Sequence, residues 1–264
     1  QHWAQRVAAE AQFLTQLKAD LVLTNVSYLP LAGAALAGIP AVSLCSLNWA
    51  DLFQHYFGSE DWAGPIHTEM LAAYRSAQTF LRITPGMPMP ELGNLKTVGP
   101  IANRGHAHDL GLAGERAVLI AMGGIRHHLP VDRWPRLPGI RWLVAGHWQC
   151  THPDALAFES FGLSFTDLLC SVDAIVTKPG YGTFTEAACN QIPVVYQRRT
   201  DWPEQDCLID WLEKSGKSTE ISPETLENGQ VESALAHVWQ TPTPPRPLNT
   251  GDREAAQHLF DLLH

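Results

Sequence analysis

The chain has 264 residues, a length that suits two α/β domains of modest size. Hydrophobic residues make up 45% and charged residues 17%, which indicates a globular chain with ample core material and excludes a disordered one. The net charge is −9, and the basic residues form only short groups such as Arg198-Arg199. Nucleic acid is therefore not expected as a partner, because binding a duplex requires clustered cations that neutralise its phosphates.

Cysteine and histidine usage indicates a reduced protein without a metal. The five cysteines are widely spaced and include no Cys-x-x-Cys pair, which predicts free thiols and a cytoplasmic location. The twelve histidines lack the spacing of a zinc site, so no metal is expected. The most apolar run, residues 29–45, is interrupted by glycine and proline and is short for a bilayer. No transmembrane segment is predicted, and peripheral contact with a membrane stays open.

Helices and strands alternate along the chain. In order, the predicted elements are a helix over 2–18, a strand over 21–24, a helix over 30–37, a strand over 41–44, mainly helix over 49–80, strands over 81–84, 118–122 and 140–145, a helix over 165–171, a strand over 173–177, a helix over 183–189, a strand over 193–196, and helices over 204–215 and 252–263. This rhythm predicts parallel sheets. The prolines and polar residues near 99–108 predict a linker, which gives domains 1–104 (with 251–264) and 113–240.

One stretch carries the clearest chemistry: Lys178-Pro-Gly180-Tyr181-Gly182-Thr183-Phe-Thr-Glu186. It follows a strand and opens a helix. Glycines let the backbone approach an anion, and the first helical N–H groups favour negative charge. Thr183 either caps the helix or donates to a phosphate, and Glu186 can accept the hydroxyls of a ribose. The alternative is a plain strand–helix turn, since a third glycine of a dinucleotide fingerprint is absent.

A second polar group follows the next strand. It reads Arg198-Arg199-Thr-Asp201-Trp-Pro-Glu-Gln205. The arginines can face a diphosphate, while the carboxylate and the amide can hold sugar hydroxyls. The alternative is a loop of surface arginines with Asp201 as a helix N-cap.

Together these stretches resemble the C-terminal half of glycosyltransferases with the GT-B fold, whose pattern is glycine-x-glycine-threonine-x-x-glutamate, proline-valine-valine and Asp-x-Pro-x-(Asn or Gln). The resemblance implies that Gly182 and Thr183 amides meet a diphosphate, that Glu186 holds the ribose, and that Asp201 and Gln205 meet the sugar. It also implies a phosphate loop at Gly123-Gly124 and a base site near His147-Trp148. The candidate nucleotide-sugar-binding residues are thus Gly123, Gly124, Trp148, Lys178, Gly180, Tyr181, Gly182, Thr183, Glu186, Arg198, Arg199, Asp201 and Gln205.

Several motifs of the sequence are similar to the glycosyltransferase-like N-terminal region of plant arabinokinases and related bacterial proteins. The run from Lys178 to Ala187 carries this similarity, together with Ser46-Leu-Asn48-Trp49 and Met87-Pro-Met89-Pro90. The sequence contains no Gly-Leu-Ser-Ser-Ser-like phosphate loop of a kinase. The resemblance therefore implies the fold and a nucleotide-sugar site, without kinase activity.

The expected fold is α/β and GT-B-like: two doubly wound, Rossmann-like domains facing a cleft, with an incomplete N-terminal domain. The expected function is metal-independent transfer of sugar from a nucleoside-diphosphate sugar, with uridine as the expected nucleoside, to an unknown acceptor. A non-catalytic nucleotide-sugar-binding module and a nucleotide-sugar epimerase are the alternatives, since fold alone does not choose among them. The nucleotide sugar is the substrate, and no cofactor is expected.

The N-terminal half offers only weak candidates for catalysis. Asn25 and Asp51 follow predicted strands and are candidate catalytic residues, although loop capping is the more common role for such residues. Aromatic residues between 49 and 57 either line an acceptor site or form a plain core face, and the core face is the favoured interpretation.

Overall fold

The computed structural model describes residues 2–123 and 128–264. The chain divides into two compact units. The first comprises Gln1–Ile101 and Thr250–His264, and the second comprises Ala102–Asn249. The second unit begins earlier than residue 113, where the sequence-based domain was expected to start.

The first unit is a four-stranded parallel sheet with helices. Its elements are α1 (Trp3–Leu17), β1 (Val22–Thr24), α2 (Leu29–Ala37), β2 (Ala41–Cys45), α3 (Trp49–Phe57), α4 (Ala63–Ser76), β3 (Thr79–Ile83), β4 (Leu95–Val98) and α10 (Gly251–Leu263). The strand order is β1-β2-β3-β4, and every neighbouring pair is parallel.

Small residues let α2 pack closely on its neighbours. A Cβ placed on Gly33 would lie 2.6 Å from Cγ of Glu10 in α1. Leu31 and Ala34 of α2 are fully buried. The helix ends at Gly38, whose φ of 69° is left-handed and lets its N–H bond back to α2 carbonyls. The predicted small-residue helix is therefore a packing element.

Asn48 caps α3 from a fully buried position. Its Oδ1 accepts a hydrogen bond from the Asp51 N–H at 2.8 Å. We expect Asn48→Ala to lower the free energy of unfolding by about 1 kcal/mol, because an N–H of the first turn loses its partner. Asn48→Ser is the matched control, since serine is also small but keeps a capping oxygen. Urea unfolding that gives equal stabilities for the alanine and serine variants would contradict this role.

The second unit is a six-stranded parallel sheet. Its strands and helices are β5 (Arg116–Ile120), β6 (Ile140–Val144), β7 (Ala155–Ala157), α5 (Phe165–Cys170), β8 (Ala174–Thr177), α6 (Tyr181–Asn190), β9 (Val194–Tyr196), α7 (Gln205–Ser215), β10 (Ser218–Glu220), α8 (Pro223–Glu227) and α9 (Glu232–Gln240). The strand order is β10-β9-β8-β5-β6-β7. All five neighbouring pairs are parallel.

Both faces of this second sheet are covered. In β5, Val118 and Ile120 belong to one buried apolar cluster, and Ala117 and Leu119 belong to another. Side chains alternate between the faces of a strand, so the two clusters lie on opposite faces. This double cover is the doubly wound arrangement. The prediction of an α/β fold with parallel sheets is confirmed.

Several elements differ from the sequence-based prediction. Helix α6 begins at Tyr181, two residues before the predicted start at Thr183. The short strands β4, β7 and β10 and the helices α8 and α9 were not predicted. The final helix, α10, was predicted as part of the first domain; it lies in the first unit, where the Pro100 carbonyl accepts from the Gly251 N–H at 3.1 Å.

Candidate functional site

The connections of the second sheet change direction next to β5. After β5 the chain adds β6 and β7 on one side, and then returns to add β8, β9 and β10 on the other. In open parallel sheets, a crevice forms at the carboxyl ends of the strands where the order reverses, and ligands bind there. The loops that follow β5 and β8 therefore form the edge of the candidate site.

Hydrogen bonds join the strand ends at this edge. Thr177 Oγ1 donates to the Ala121 carbonyl at 2.6 Å, and the Gln197 N–H donates to the Thr177 carbonyl at 3.1 Å. Gly123 has a left-handed φ of 73°, and Lys178 Cε lies 3.5 Å from the position of a Cβ at Gly123. The structure thus brings the loops after β5, β8 and β9 together. Gly124, the second predicted glycine, lies outside the described residues.

The loop after β8 presents the start of α6. Gly180 is the N-cap residue and has an extended backbone. Its carbonyl accepts the first hydrogen bond of the helix, from the Phe184 N–H at 3.0 Å. Thr183 is the third residue of the helix, so the interpretation of Thr183 as the cap is wrong. Gly182 is exposed, and a Cβ built on it would meet nothing within 4 Å. The first turn therefore offers backbone N–H groups beside open space, a favourable place for an anion.

Lys178 and Arg199 give this edge a positive charge. Burial lowers the pKa of the half-buried Lys178, and the charge of Arg199 lowers that pKa further. The Arg199 guanidinium lies 4.2 Å from the ring centre of Trp202. An anion that binds beside both cations would stabilise the charged form of Lys178, because it offsets the repulsion from Arg199.

Glu186 lies one turn into α6 and is half-buried. Its Oε1 accepts a hydrogen bond from Asn103 Nδ2 at 3.0 Å. An ionised carboxylate can accept about four hydrogen bonds, so acceptor sites remain for a ligand. Asn103 carries no motif that the sequence analysis could recognise, because its partner lies in a distant part of the chain.

The loop after β9 uses several of its polar groups internally. Arg198 forms ion pairs with Asp206 at 2.6 Å and Glu220 at 2.9 Å. The Gln205 side-chain amide forms two hydrogen bonds with the backbone of Arg199. Its oxygen accepts from the Arg199 N–H at 2.9 Å, and its nitrogen donates to the Arg199 carbonyl at 3.1 Å. Asp201 is exposed.

Helix α7 begins at Gln205, with Glu204 as its N-cap residue. The alternative interpretation, in which Asp201 caps this helix, is therefore wrong. Trp202 was not among the predicted residues; an aromatic ring three positions after an arginine is the signal that could have indicated the stacked pair.

Trp148 and Tyr181 pack against the apolar clusters of the second unit. Trp148 is buried in the core after β6, and its ring centre lies 5.1 Å from that of His128 and 6.5 Å from that of His147. Tyr181 is partly buried against the other core cluster. Trp148 follows the strand next to β5, so it belongs to the same sheet edge as the candidate site.

In the first unit, Asp51 lies in the first turn of α3, where Asn48 is the capping residue. Its N–H donates to Asn48, while burial raises the pKa of its carboxyl group. The Asn25 carbonyl accepts from Ser43 Oγ at 2.9 Å, and its side chain is exposed.

The favoured interpretation of the aromatic residues as a core face is wrong. Trp49, Tyr56 and Phe57 are 40%, 39% and 43% exposed, because α3 turns this face outward. Phe53 and Phe57 both lie within 6 Å, centre to centre, of the exposed ring of Trp62. The exposed rings of Trp49, Tyr56, Phe57 and Trp62, with the half-buried Phe53, are named here the exposed aromatic surface.

The described residues include neither a cluster of metal ligands nor a helix suited to a bilayer. Across residues 2–123 and 128–264, no three His, Cys, Asp or Glu side chains converge as a metal site would require. Within the same ranges, no helix combines the length and the apolar character needed to cross a bilayer.

Comparison with known proteins identifies the fold. No known family profile matches the chain. It is 25% identical to the L-arabinokinase of Arabidopsis thaliana over 239 residues, which are 86% of this chain and 23% of that protein. The chain thus spans about a quarter of that curated relative.

Solved glycosyltransferases align over almost the whole chain. The kitacinnamycin glycosyltransferase has a TM-score of 0.69 at 16% identity, over 98% of this chain and 80% of its own. The calicheamicin glycosyltransferase has a TM-score of 0.68 at 16% identity, over 97% and 76%. The spinosyn rhamnosyltransferase, solved with thymidine diphosphate, has a TM-score of 0.54 at 15% identity, over 99% and 76%. The chain has the fold of GT-B glycosyltransferases.

Proposed function

We propose that this chain, which has the GT-B fold, binds a nucleoside-diphosphate sugar and transfers the sugar to an acceptor hydroxyl. One observation carries the proposal: the start of α6 and the cation Lys178 meet at the carboxyl edge of the sheet, where the strand order reverses. An anionic ligand is what such an edge favours.

The diphosphate contacts the amides of Gly182 and Thr183, with Lys178 and Arg199 as counter-charges. As the bond to the sugar breaks, negative charge develops on the diphosphate. Amides and cations that are already oriented stabilise that charge without reorganising. This accounts for transfer that does not depend on a metal ion.

The ribose binds at Glu186, whose carboxylate accepts its hydroxyls. Uridine is the proposed nucleoside, with Trp148 beside the base. Thymidine diphosphate, which the spinosyn rhamnosyltransferase binds, is the natural comparison ligand. It lacks the 2′-hydroxyl, so a carboxylate that accepts from both ribose hydroxyls should favour the uridine nucleotide.

The acceptor side of the reaction is proposed for the first unit. Asp51 is a better candidate base than Asn25, because a carboxylate with a raised pKa can take up a proton and an amide cannot. The exposed aromatic surface offers an apolar acceptor a place to pack. Sugar transfer measured with an acceptor tests this part of the proposal.

A thermal-shift panel tests the donor site directly. The ligands are UDP, TDP, ADP, inorganic diphosphate and several UDP-sugars. Ligand at 100 times its Kd should stabilise the native state by about 2.7 kcal/mol and raise the melting temperature. We expect the largest shift with a uridine nucleotide and a small one with diphosphate alone. A melting temperature that no nucleotide raises above that of the ligand-free protein would overturn the proposal.

A non-catalytic binding module is the second candidate. The Gln205 amide favours it, since the Arg199 backbone already occupies one of its N–H donors and one acceptor position of its oxygen, which leaves fewer positions for a sugar. Incubation of the protein with a binding UDP-sugar separates the candidates. Release or transfer of the sugar supports the enzyme, while retained, unchanged donor supports the module. An epimerised donor formed without any acceptor would indicate the third reaction, epimerisation.

A further inference from the structure

The segment that begins the second unit runs along α6 and reaches the candidate ribose site. Asn103 donates to Glu186 Oε1 at 3.0 Å. Asn190 Nδ2 donates both to the Asn103 carbonyl at 2.9 Å and to the Glu186 carbonyl at 2.8 Å. One asparagine on α6 therefore fixes the backbone of both partners of the Asn103–Glu186 hydrogen bond.

Further contacts hold the same segment in place. Arg104 Nη1 donates to the Cys189 carbonyl at 2.7 Å, near the end of α6. Asn249 Nδ2 donates to the Ala102 carbonyl at 2.9 Å, and Arg104 Nε donates to Asn249 Oδ1 at 3.2 Å. Asn103 is thus anchored by its neighbours on both sides, although its own side chain is exposed.

We infer that Asn103 is a positioning residue of the nucleotide site, which orients the Glu186 carboxylate to accept from both hydroxyls of a ribose. This inference rests on the proposed function. A free glutamate side chain samples several rotamers, and ordering one on binding opposes affinity. A donor that already holds one oxygen removes part of that cost and fixes the plane in which the other acceptor positions lie.

The inference makes a prediction about selectivity. A fixed carboxylate distinguishes UDP from 2′-deoxy-UDP, because the second hydroxyl meets an acceptor that is already in position. A mobile carboxylate loses much of that distinction. Asn103→Ala should therefore weaken UDP binding about three- to tenfold, the range of one hydrogen bond, and should weaken 2′-deoxy-UDP binding less.

The experiment measures the Kd of UDP and of 2′-deoxy-UDP by titration calorimetry at pH 8. The variants are Asn103→Ala, Asn103→Asp, Asn249→Ala and Glu186→Ala. Asn103→Asp keeps the size of the side chain and removes its N–H donor, so a variant that binds like the wild type would overturn the inference. Asn249→Ala loosens the same segment without touching Glu186, and should leave the preference for UDP intact.

The outcomes separate this inference from the proposed function. Loss of the UDP preference in both Asn103 variants, with the preference kept in Asn249→Ala, supports the inference. If only Glu186→Ala loses the preference for UDP over 2′-deoxy-UDP, Glu186 still binds the ribose, but the role of Asn103 is overturned. Equal weakening of both ligands by Asn103→Ala and Asn249→Ala assigns Asn103 a merely structural role. A wild-type protein that binds neither nucleotide overturns the inference and the proposed function together.

Discussion

Glu186→Ala should weaken the binding of UDP by about 1.5–3 kcal/mol, roughly 10- to 150-fold, because the ribose loses a charged hydrogen-bond acceptor. Titration calorimetry on the purified variant measures this difference. The fold should persist, since the Glu186 side chain is only half-buried and its carboxylate accepts a hydrogen bond from the exposed Asn103.

Two further glutamate variants sharpen the result. Glu186→Gln keeps one acceptor oxygen and should lose less affinity than the alanine variant. Glu227→Ala is the matched control, because Glu227 is an exposed glutamate at the end of α8. Equal affinity of UDP for the wild type and for Glu186→Ala would remove Glu186 from the site.

Gly182→Leu should abolish measurable UDP binding, a loss of about 100-fold or more, and leave the folded protein as stable as the wild type or more so. A Cβ at this position meets nothing within 4 Å, so the fold itself does not require glycine there. Leucine is a better helix former than glycine by up to about 1 kcal/mol. The side chain would instead occupy the space in which a diphosphate approaches the first turn of α6.

Urea unfolding and calorimetry together measure these two opposite effects. Gly182→Ala should show an intermediate loss of affinity. Gly229→Ala is the contrasting control: Gly229 has a left-handed φ of 65°, and a Cβ there would collide with the Trp134 ring. That variant should unfold more easily. If Gly182→Leu binds UDP as tightly as the wild type, the diphosphate does not approach the start of α6.

The amino-acid sequence determined the features that local patterns encode. Alternating apolar runs gave most strands and helices of both units, including the strand Ala174–Thr177 and the helix Tyr181–Asn190 that carries the glycines and Glu186. Glycine spacing, helix periodicity and buried strands depend on neighbours within a few residues, and therefore leave a readable signal. The α/β fold with parallel sheets followed from these alternations.

Short edge elements could not be predicted from the sequence alone. The three-residue strands Ala155–Ala157 and Ser218–Glu220 lie at the two edges of the six-stranded sheet, where each pairs with a single neighbour. Neither stretch carries the run of β-branched and aromatic residues that indicates the equally short strand Val194–Tyr196. The outward direction of Trp49 and Phe57 likewise depended on how α3 lies in the first unit, because an aromatic stripe looks the same whether it faces a core or solvent.

Only the tertiary structure decided which polar groups are already paired. Gln205 looks like a candidate sugar ligand in the sequence, yet its amide already forms two hydrogen bonds with the backbone of Arg199. Asn103 and Glu186 are 83 residues apart, and nothing near either of them indicates the other. Such contacts form because folding brings distant segments together, so their partners are fixed by the path of the chain through space and leave no local pattern.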